Sequence, residues 1–368
     1  ILCFTGDSGL TDYSVSLARA MIPYADVELI TATSLPVRFS AFGFKTRLLF
    51  RRTRHYLLDL PRAFACILRE RPTCVIQQGP LKFPLVEGFM ARVLRHLGVP
   101  MILVVHDVLP HYPRRWSRWE FSHFYRCFDS LVVHSTAAYE QIRTLGVDSP
   151  ILVVPHGSYD LFRLKNLSML EARACLPGIT SDDFVVLFFG PLEPRKGLSE
   201  FILVAKAMES VPGWKFVIAG NDEMAKHGEH YADLMEQAKN LSNVILVDKR
   251  IPFEAVESYF AASDVVALPY REGTTSGVLK LSIAFGVPVV ASRVGDLPEQ
   301  IPDGGGILFE ADSDMVTSLQ LALREVQRAP DTYRKGMLNA SANCNWEQIA
   351  QAYIHFIFSQ ETARAAIA

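Results

Sequence analysis

The stretch Phe184-Val185-Val186-Leu187-Phe188-Phe189-Gly190-Pro191-Leu192-Glu193-Pro194-Arg195-Lys196-Gly197 decides the fold. Six apolar residues run without polar alternation into a glycine. Such a run reads as a strand buried on both faces, the kind found in parallel sheets covered by helices. A short loop with two adjacent cations follows, and a helical pattern begins near Leu198. Strand, glycine turn and helix make one unit of a doubly wound α/β fold.

The same rhythm extends outward in both directions. Downstream, apolar runs recur at 215–219, 244–247, 265–268 and 288–292, with helices between. Upstream they stand at 1–5, 27–31, 74–77, 101–106, 130–134 and 151–155, with helical spacing at 14–22, 85–97 and 137–145. Two such series in 368 residues predict an α/β protein of two Rossmann-like, doubly wound domains. Gly157 and the change of pattern through Lys165 and Glu171 set the expected boundary, with domains at 1–160 and 161–345. A last helix is expected over 345–358. Asn345 would cap it, and Trp346, Ile349, Ala350, Tyr353, Ile354 and Ile357 would share one face.

Composition narrows the function. With 49% hydrophobic and 21% charged residues the chain is globular, and a net charge of −2 gives no reason to expect nucleic acid as a partner. The charge is unevenly divided. Residues 1–157 hold 18 basic against 12 acidic side chains, and the remainder holds 19 against 27. The first half is therefore the one suited to an anionic surface. The six cysteines form no CxxC pair and no His/Cys cluster, which argues against a zinc site or a disulfide scaffold. A reducing, cytoplasmic setting is expected, and no apolar run is long enough to span a membrane.

Six segments invite a chemical reading. Gly6-Asp7-Ser8-Gly9-Leu10-Thr11-Asp12 joins the first strand to the first helix. It lacks the GxGxxG pattern, so it is either an ordinary turn or a place where Gly9 lets backbone amides meet a phosphate. His106-Asp107 ends a strand, where open α/β sheets bind ligands, and His106 can hydrogen-bond a sugar hydroxyl or a phosphate. Arg195-Lys196 places fixed positive charge at a helix start and suits a diphosphate. Glu272-Gly273-Thr274-Thr275-Ser276-Gly277-Val278 gives small residues, hydroxyls and one carboxylate before a helix, as a sugar-phosphate loop requires. Lys45, Arg47, Arg51, Arg52 and Arg54 alternate with Leu48, Leu49, Phe50, Tyr56 and Leu57. They form either a helix whose apolar side enters the core or a face for an anionic membrane or phosphorylated lipid. Asp312-Ser313-Asp314 has the spacing of a metal-dependent transferase, but capping of the following helix explains it more simply.

These residues resemble the retaining GT-B glycosyltransferases of glycosyltransferase family 4. The resemblance runs through Phe188-Phe189-Gly190 to Lys196-Gly197, then Phe216-Val217-Ile218-Ala219-Gly220 and Ala262-Ser263-Asp264-Val265 to Pro269. It continues through Ser276-Gly277-Val278 to Gly286-Val287-Pro288-Val289-Val290-Ala291-Ser292, Val294-Gly295-Asp296-Leu297-Pro298-Glu299 and Asn345-Trp346-Glu347. In the N-terminal half it is looser, resting on the Gly9 loop, His106-Asp107 and Pro155-His156-Gly157.

The resemblance implies a GT-B fold with an interdomain cleft, a nucleotide-sugar donor, a saccharide or lipid-linked acceptor and no metal or other cofactor. It also implies a terminal helix, 346–368, that crosses back onto the first domain. It puts the phosphate-binding lysine at Lys196, the cleft histidine at His106, the donor loop at Thr275, Ser276, Gly277 and Val278, and the base near Arg250 and Ile251. Two departures stand out. Pro191 occupies a place where the family often has arginine, for which Arg195 is the expected substitute. The family's glutamate pair falls on Gly273 and Leu281, with Glu272 one place off. The catalytic set expected is therefore His106, Arg195, Lys196 and Glu272. The implied activity is transfer of a hexosyl unit from a nucleoside diphosphate sugar, UDP before GDP, in polysaccharide or glycolipid synthesis. Two alternatives are a GT-B-shaped nucleotide-sugar epimerase and a non-catalytic sugar-nucleotide-binding subunit.

Overall fold

The computed structural model describes residues 1–51, 55–110, 113–223, 229–273, 276–312 and 314–365. The expectations placed on Arg52, Arg54, His111, Thr274, Thr275 and Ser313 lie outside the described residues.

The strands are β1 Glu28–Ala32, β2 Lys45–Phe50, β3 Val75–Gln78, β4 Met101–Val104, β5 Ser130–Val133, β6 Ile151–Val153, β7 Phe184–Phe189, β8 Trp214–Gly220, β9 Val244–Asp248, β10 Val265–Leu268, β11 Val289–Ser292 and β12 Gly306–Phe309. The α-helices are α1 Gly9–Met21, α2 Tyr56–Glu70, α3 Pro84–His96, α4 Ser117–Tyr125, α5 Thr136–Thr144, α6 Met169–Ala174, α7 Leu198–Ala207, α8 Glu229–Asn240, α9 Phe253–Ala261, α10 Gly277–Phe285, α11 Leu297–Gln300, α12 Met315–Arg328, α13 Pro330–Asn343 and α14 Trp346–Ala365. They divide into two compact units, Ile1–Gly157 with Cys344–Ala368, and Ser158–Asn343. The division falls three residues before the boundary expected at 160, and Cys344 and Asn345 go with the first unit.

In the first unit β3-β4-β5-β6 form a parallel sheet and β1-β2 a parallel pair. The segment expected to be a strand at 1–5 contributes only a bridging residue, Leu2, which pairs with both Ile30 and Gln77. Its backbone bonds to Ile76 and Gln78 nevertheless stitch the pair to the sheet. Two apolar clusters cover the strands. One gathers Leu2, Phe4, Phe50, Tyr56, Leu103 and Phe124. The other gathers Tyr13, Leu17, Met21, Ile102 and Val132 with Trp346, Ile349, Ala350, Tyr353 and Ile357 of α14. The apolar face of α14 is thus part of the first unit's core. Asn345 Oδ1 accepts the N–H of Gln348 at 3.0 Å, as a capping residue does. A Cβ on Gly157 would collide with the Trp346 ring, so glycine is required where the last helix seats.

The second unit is one six-stranded parallel sheet in the order β12-β11-β10-β7-β8-β9. Helices cover both faces, with Phe188, Phe201 and Phe216 on one side and Val185, Phe260 and Leu279 on the other. β7 is the run from which the fold was read, and it keeps its expected bounds. Alternating faces of one strand thus feed two cores, which is why the run shows no polar alternation.

The basic stretch is not the helix that was one of the forms expected of it. Residues 45–50 are strand β2, paired in parallel with β1, and α2 begins only at Tyr56. Arg47 is held by Glu28 and, at 2.7 Å, by Glu70. Arg51 meets the fully buried Asp59 at 2.8 Å. Two of the expected cations are therefore spent on carboxylates of their own unit.

Candidate functional site

In the second unit, β7 reaches the carboxyl edge of the sheet and stops at Gly190, φ +99°. Lys196 lies directly over it. A Cβ on Gly190 would stand 3.3 Å from Lys196 Nζ and 3.6 Å from Val278 Cγ2. The ammonium, the bare Cα of Gly190 and the first turn of α10 therefore share one spot. A 3-10 turn, Pro194–Lys196, sets the lysine in place. Gly197 closes that turn at φ +70°, and a side chain there would strike the carbonyl oxygen of Pro269. Nζ also lies 5.9 Å from the centroid of the Tyr270 ring, within cation–π range.

Lys196 is 8% exposed, and among the described residues no carboxylate pairs with it. Burial, reinforced by the Arg195 cation and opposed by Glu193, pulls its pKa down to about 8. It still carries its charge at neutral pH. A buried, uncompensated cation is costly, and an anion seated beside it removes that cost. The first amides of α10 add to this. Ser276 caps the helix, its Oγ accepting from Leu279 N–H at 3.3 Å and lying 3.2 Å from Tyr270 Oη. The N–H groups of Gly277 and Val278 belong to the first helical turn, which has no intrahelical acceptors. A buried cation beside a helix start is an arrangement whose chemistry suits a phosphate.

Arg195 is differently placed. Its Nε binds Glu193 Oε2 at 2.6 Å, so its charge is largely met. Its carbonyl oxygen accepts from the N–H groups of Arg271 at 2.8 Å and Glu272 at 3.4 Å. Arg195 therefore ties the cation loop to the loop after β10 and brings the exposed Glu272 alongside. Arg195, Lys196, Glu272, Ser276, Gly277 and Val278 are thus brought together. Arg250 and Ile251 follow β9, two strands from β7, or about 10 Å across the sheet.

The first unit has a candidate site of its own. His106 follows β4, and its Nε2–H donates to Gln78 Oε1 at 2.8 Å. That leaves Nδ1 as an acceptor for a hydroxyl. Burial, then the charge of His134, holds the ring well below the usual histidine pKa, so it is neutral in ordinary buffers. His106 and Asp107 line a cavity of about 440 Å³ with Leu10, Gly79, Lys82 and Arg114. Gly9 opens α1, capped by Ser8. The glycine that the packing requires there is Gly6, whose Cβ would lie 2.6 Å from Leu35 N.

The sequence reading missed the company His106 keeps. His134 follows β5 and His156 follows β6, and both are buried. The rings of all three histidines surround Tyr13, with centroids 4.9, 5.1 and 4.8 Å away. Tyr13 in turn bonds Tyr353 of α14 at 2.8 Å. The available signal was a strand-closing pattern: Val104-Val105-His106, Val132-Val133-His134 and Val153-Val154-Pro155-His156.

The fold defines a GT-B protein of two Rossmann-like units, each with candidate ligand residues at the carboxyl edge of its own sheet. Residues 8–157 match the family of glycosyl transferase 4-like domains, and residues 183–326 match glycosyl transferases group 1. Between them the two matches span most of the chain and put it among the GT-B glycosyltransferase proteins. The D-inositol 3-phosphate glycosyltransferase of Corynebacterium diphtheriae is 35% identical over 170 residues, covering 44% of this chain and 39% of that protein. The match thus spans well under half of that curated relative's length. Among solved structures, sucrose-phosphate synthase from Thermosynechococcus elongatus superposes with a TM-score of 0.75 at 18% identity, covering 99% of this chain and 98% of its own. HepE of Anabaena in complex with UDP and glucose gives 0.72 at 16% identity, covering 99% and 98%.

Proposed function

We propose that this protein is a retaining glycosyltransferase that moves a hexosyl unit from a nucleoside diphosphate sugar to an acceptor hydroxyl. The observation that carries the reading is the buried ammonium of Lys196 over Gly190, beside the start of α10. Breaking the anomeric bond leaves a nucleoside diphosphate, whose growing charge must be met. Lys196, buried, and the α10 amides, fixed by the helix, meet it with groups that are oriented beforehand, where such contacts count most. In this reading the reaction needs no metal ion. Glu272 receives hydroxyls of the donor sugar. His106, neutral and with Nδ1 available, accepts a hydrogen bond from the reacting sugars. The donor base lies toward Arg250 and Ile251.

UDP is the preferred carrier, a choice supported by the complex of HepE with UDP and glucose. The resemblance of the second unit's motifs to the retaining enzymes supports retention in this reading, with polysaccharide or glycolipid synthesis on the cytoplasmic side of a membrane as the setting. The test is calorimetry with UDP, GDP and ADP, followed by transfer assays in which the anomeric configuration of the product is read by NMR. UDP binding with an axial-to-axial outcome upholds the reading. An inverted product overturns retention, conversion of the sugar nucleotide without acceptor favours an epimerase, and binding with no turnover favours a non-catalytic subunit.

A further inference from the structure

The first unit carries an apolar and basic face that its own core does not use. Helix α3 buries Pro84, Glu87, Met90, Ala91 and Leu94, yet Phe83, Leu85, Val86 and Phe89 stay exposed on and just before its first turns. Phe89 is 69% exposed. At the start of α4, Trp116 and Trp119 are each 55% exposed, whereas the other two tryptophans of the chain, Trp214 and Trp346, are buried. The two helices pack side by side. A Cβ on Gly88 of α3 would meet Phe124 and Cys127 at 3.1 Å, and Lys82 and Pro84 line the same cavity as Arg114, Ser117 and Phe121.

The exposed charge on this face is basic. Lys82, Arg114, Arg115 and Arg118 are exposed, and among the described residues none of them enters an ion pair. The acids close by are less exposed than these cations, and Asp107 is half-buried in the lining of the same cavity. Glu87 is fully buried, accepting Tyr56 Oη at 2.6 Å and the N–H groups of Leu81, Lys82 and Phe83. Glu120 is half-buried in the cavity lining. The same buried Glu87 pins the loop that presents Lys82 and Phe83, so the face is held in shape rather than left slack.

We propose that this α3–α4 face docks on an anionic membrane surface, with Trp116, Trp119, Phe83 and Phe89 at the headgroup level and the arginines on the lipid phosphates. Exposed tryptophan beside arginine and aliphatic side chains is the combination that an interface between water and lipid rewards. A second copy of this chain fits poorly, because a two-fold pairing of the face would set these cations against one another. The placement deepens the acceptor side of the proposed function and rests on that reading for one consequence alone. The cavity beside His106 opens among the docking residues, so a lipid-linked acceptor would arrive from the membrane itself. The docking stands on the geometry of the face.

The experiment is co-sedimentation of the full chain with vesicles of phosphatidylcholine, or of phosphatidylcholine mixed equally with phosphatidylglycerol. Tryptophan emission is followed in parallel. Binding to the mixed vesicles alone, with a blue shift, is expected. R115E/R118E should lower partitioning about thirtyfold or more, and W116S/W119S should abolish the blue shift, both with unchanged melting. Lys45→Glu, on the basic stretch that the sequence offered as one possible membrane face, should bind as the parent does. Lys196→Ala should also bind vesicles normally, so failure of the donor reading would be visible separately as lost UDP binding. Equal binding to neutral vesicles, or an R115E/R118E protein that binds unchanged, overturns the proposal. So does a parent protein that ignores both vesicles and is a dimer dispersed by R115E/R118E.

Discussion

The two units solve the same problem in different ways. Each ends a parallel strand near a glycine and places a titratable side chain at the carboxyl edge of its sheet. In the second unit the parts are close in sequence: Gly190, Lys196 and Gly197 form one loop, and Ser276 to Val278 form another. In the first unit Gln78, His106, His134 and His156 come from the ends of four strands; the three histidines meet around Tyr13, and Gln78 holds His106. A charge held by one short turn is robust to change elsewhere. A neutral ring held by four strand ends depends on the whole sheet.

That contrast can be broken experimentally. The largest effect belongs to Lys196→Ala, expected to lower transfer by about 10²–10³-fold and to weaken UDP binding, checked by steady-state kinetics and calorimetry. Full transfer by this variant would remove the phosphate assignment. Next is Gly197→Ala, which forces a side chain into the left-handed region and onto the Pro269 carbonyl. It should cost roughly 2–4 kcal/mol, read by denaturant melting of the second unit. His106→Ala should lower transfer about tenfold or more while leaving the UDP affinity unchanged, which would separate the roles of the two units.

The pH responses should differ as well. Lys196 is pulled down from 10.5 to about 8 in the folded chain. Between those values the unfolded chain holds more protons, so stability of the second unit rises with pH across that window. UDP affinity, which needs the ammonium, should fall over the same range. His106 is held below 6.5, so the first unit loses stability as pH drops through 6.5 toward its folded value. Calorimetric melting across pH 5 to 10, with and without UDP, checks both signs. The smallest effect is Tyr13→Phe, which removes the bond to Tyr353 and should cost about 1 kcal/mol.

The sequence revealed the second unit more fully than the first, and the residues show why. The donor loops are contiguous, so spacing alone brings Lys196 near Ser276 once the strand order is known. Arg195 looked like a second cation because its link to Glu193 is a matter of side-chain direction, which composition does not encode. Strand β2 was hidden for another reason. It pairs with β1 alone, its exposed positions carry Lys45 and Leu48, and Arg47 between them is half-buried. Edge strands bearing charge lose the alternation that marks a strand and mimic an amphipathic helix. The acids that hold Arg47 and Arg51 are Glu28, Glu70 and Asp59, which come from other elements. The short β12, entered through three successive glycines, gave too little apolar sequence to register. The docking face escaped for the opposite reason: its aromatic residues read as core until the packing showed which of them stay outside.

Tyr13 and Tyr353 stand 340 positions apart and share one core. On a ribosome adding about 5–20 residues per second, the second arrives roughly 15–70 seconds after the first. Throughout that interval Tyr13, Leu17 and Met21 await the side chains that will cover them, and the whole second unit is made meanwhile. Truncation anywhere before α14 would therefore leave the half that emerges first unfinished, a vulnerability during synthesis that the completed protein no longer shows.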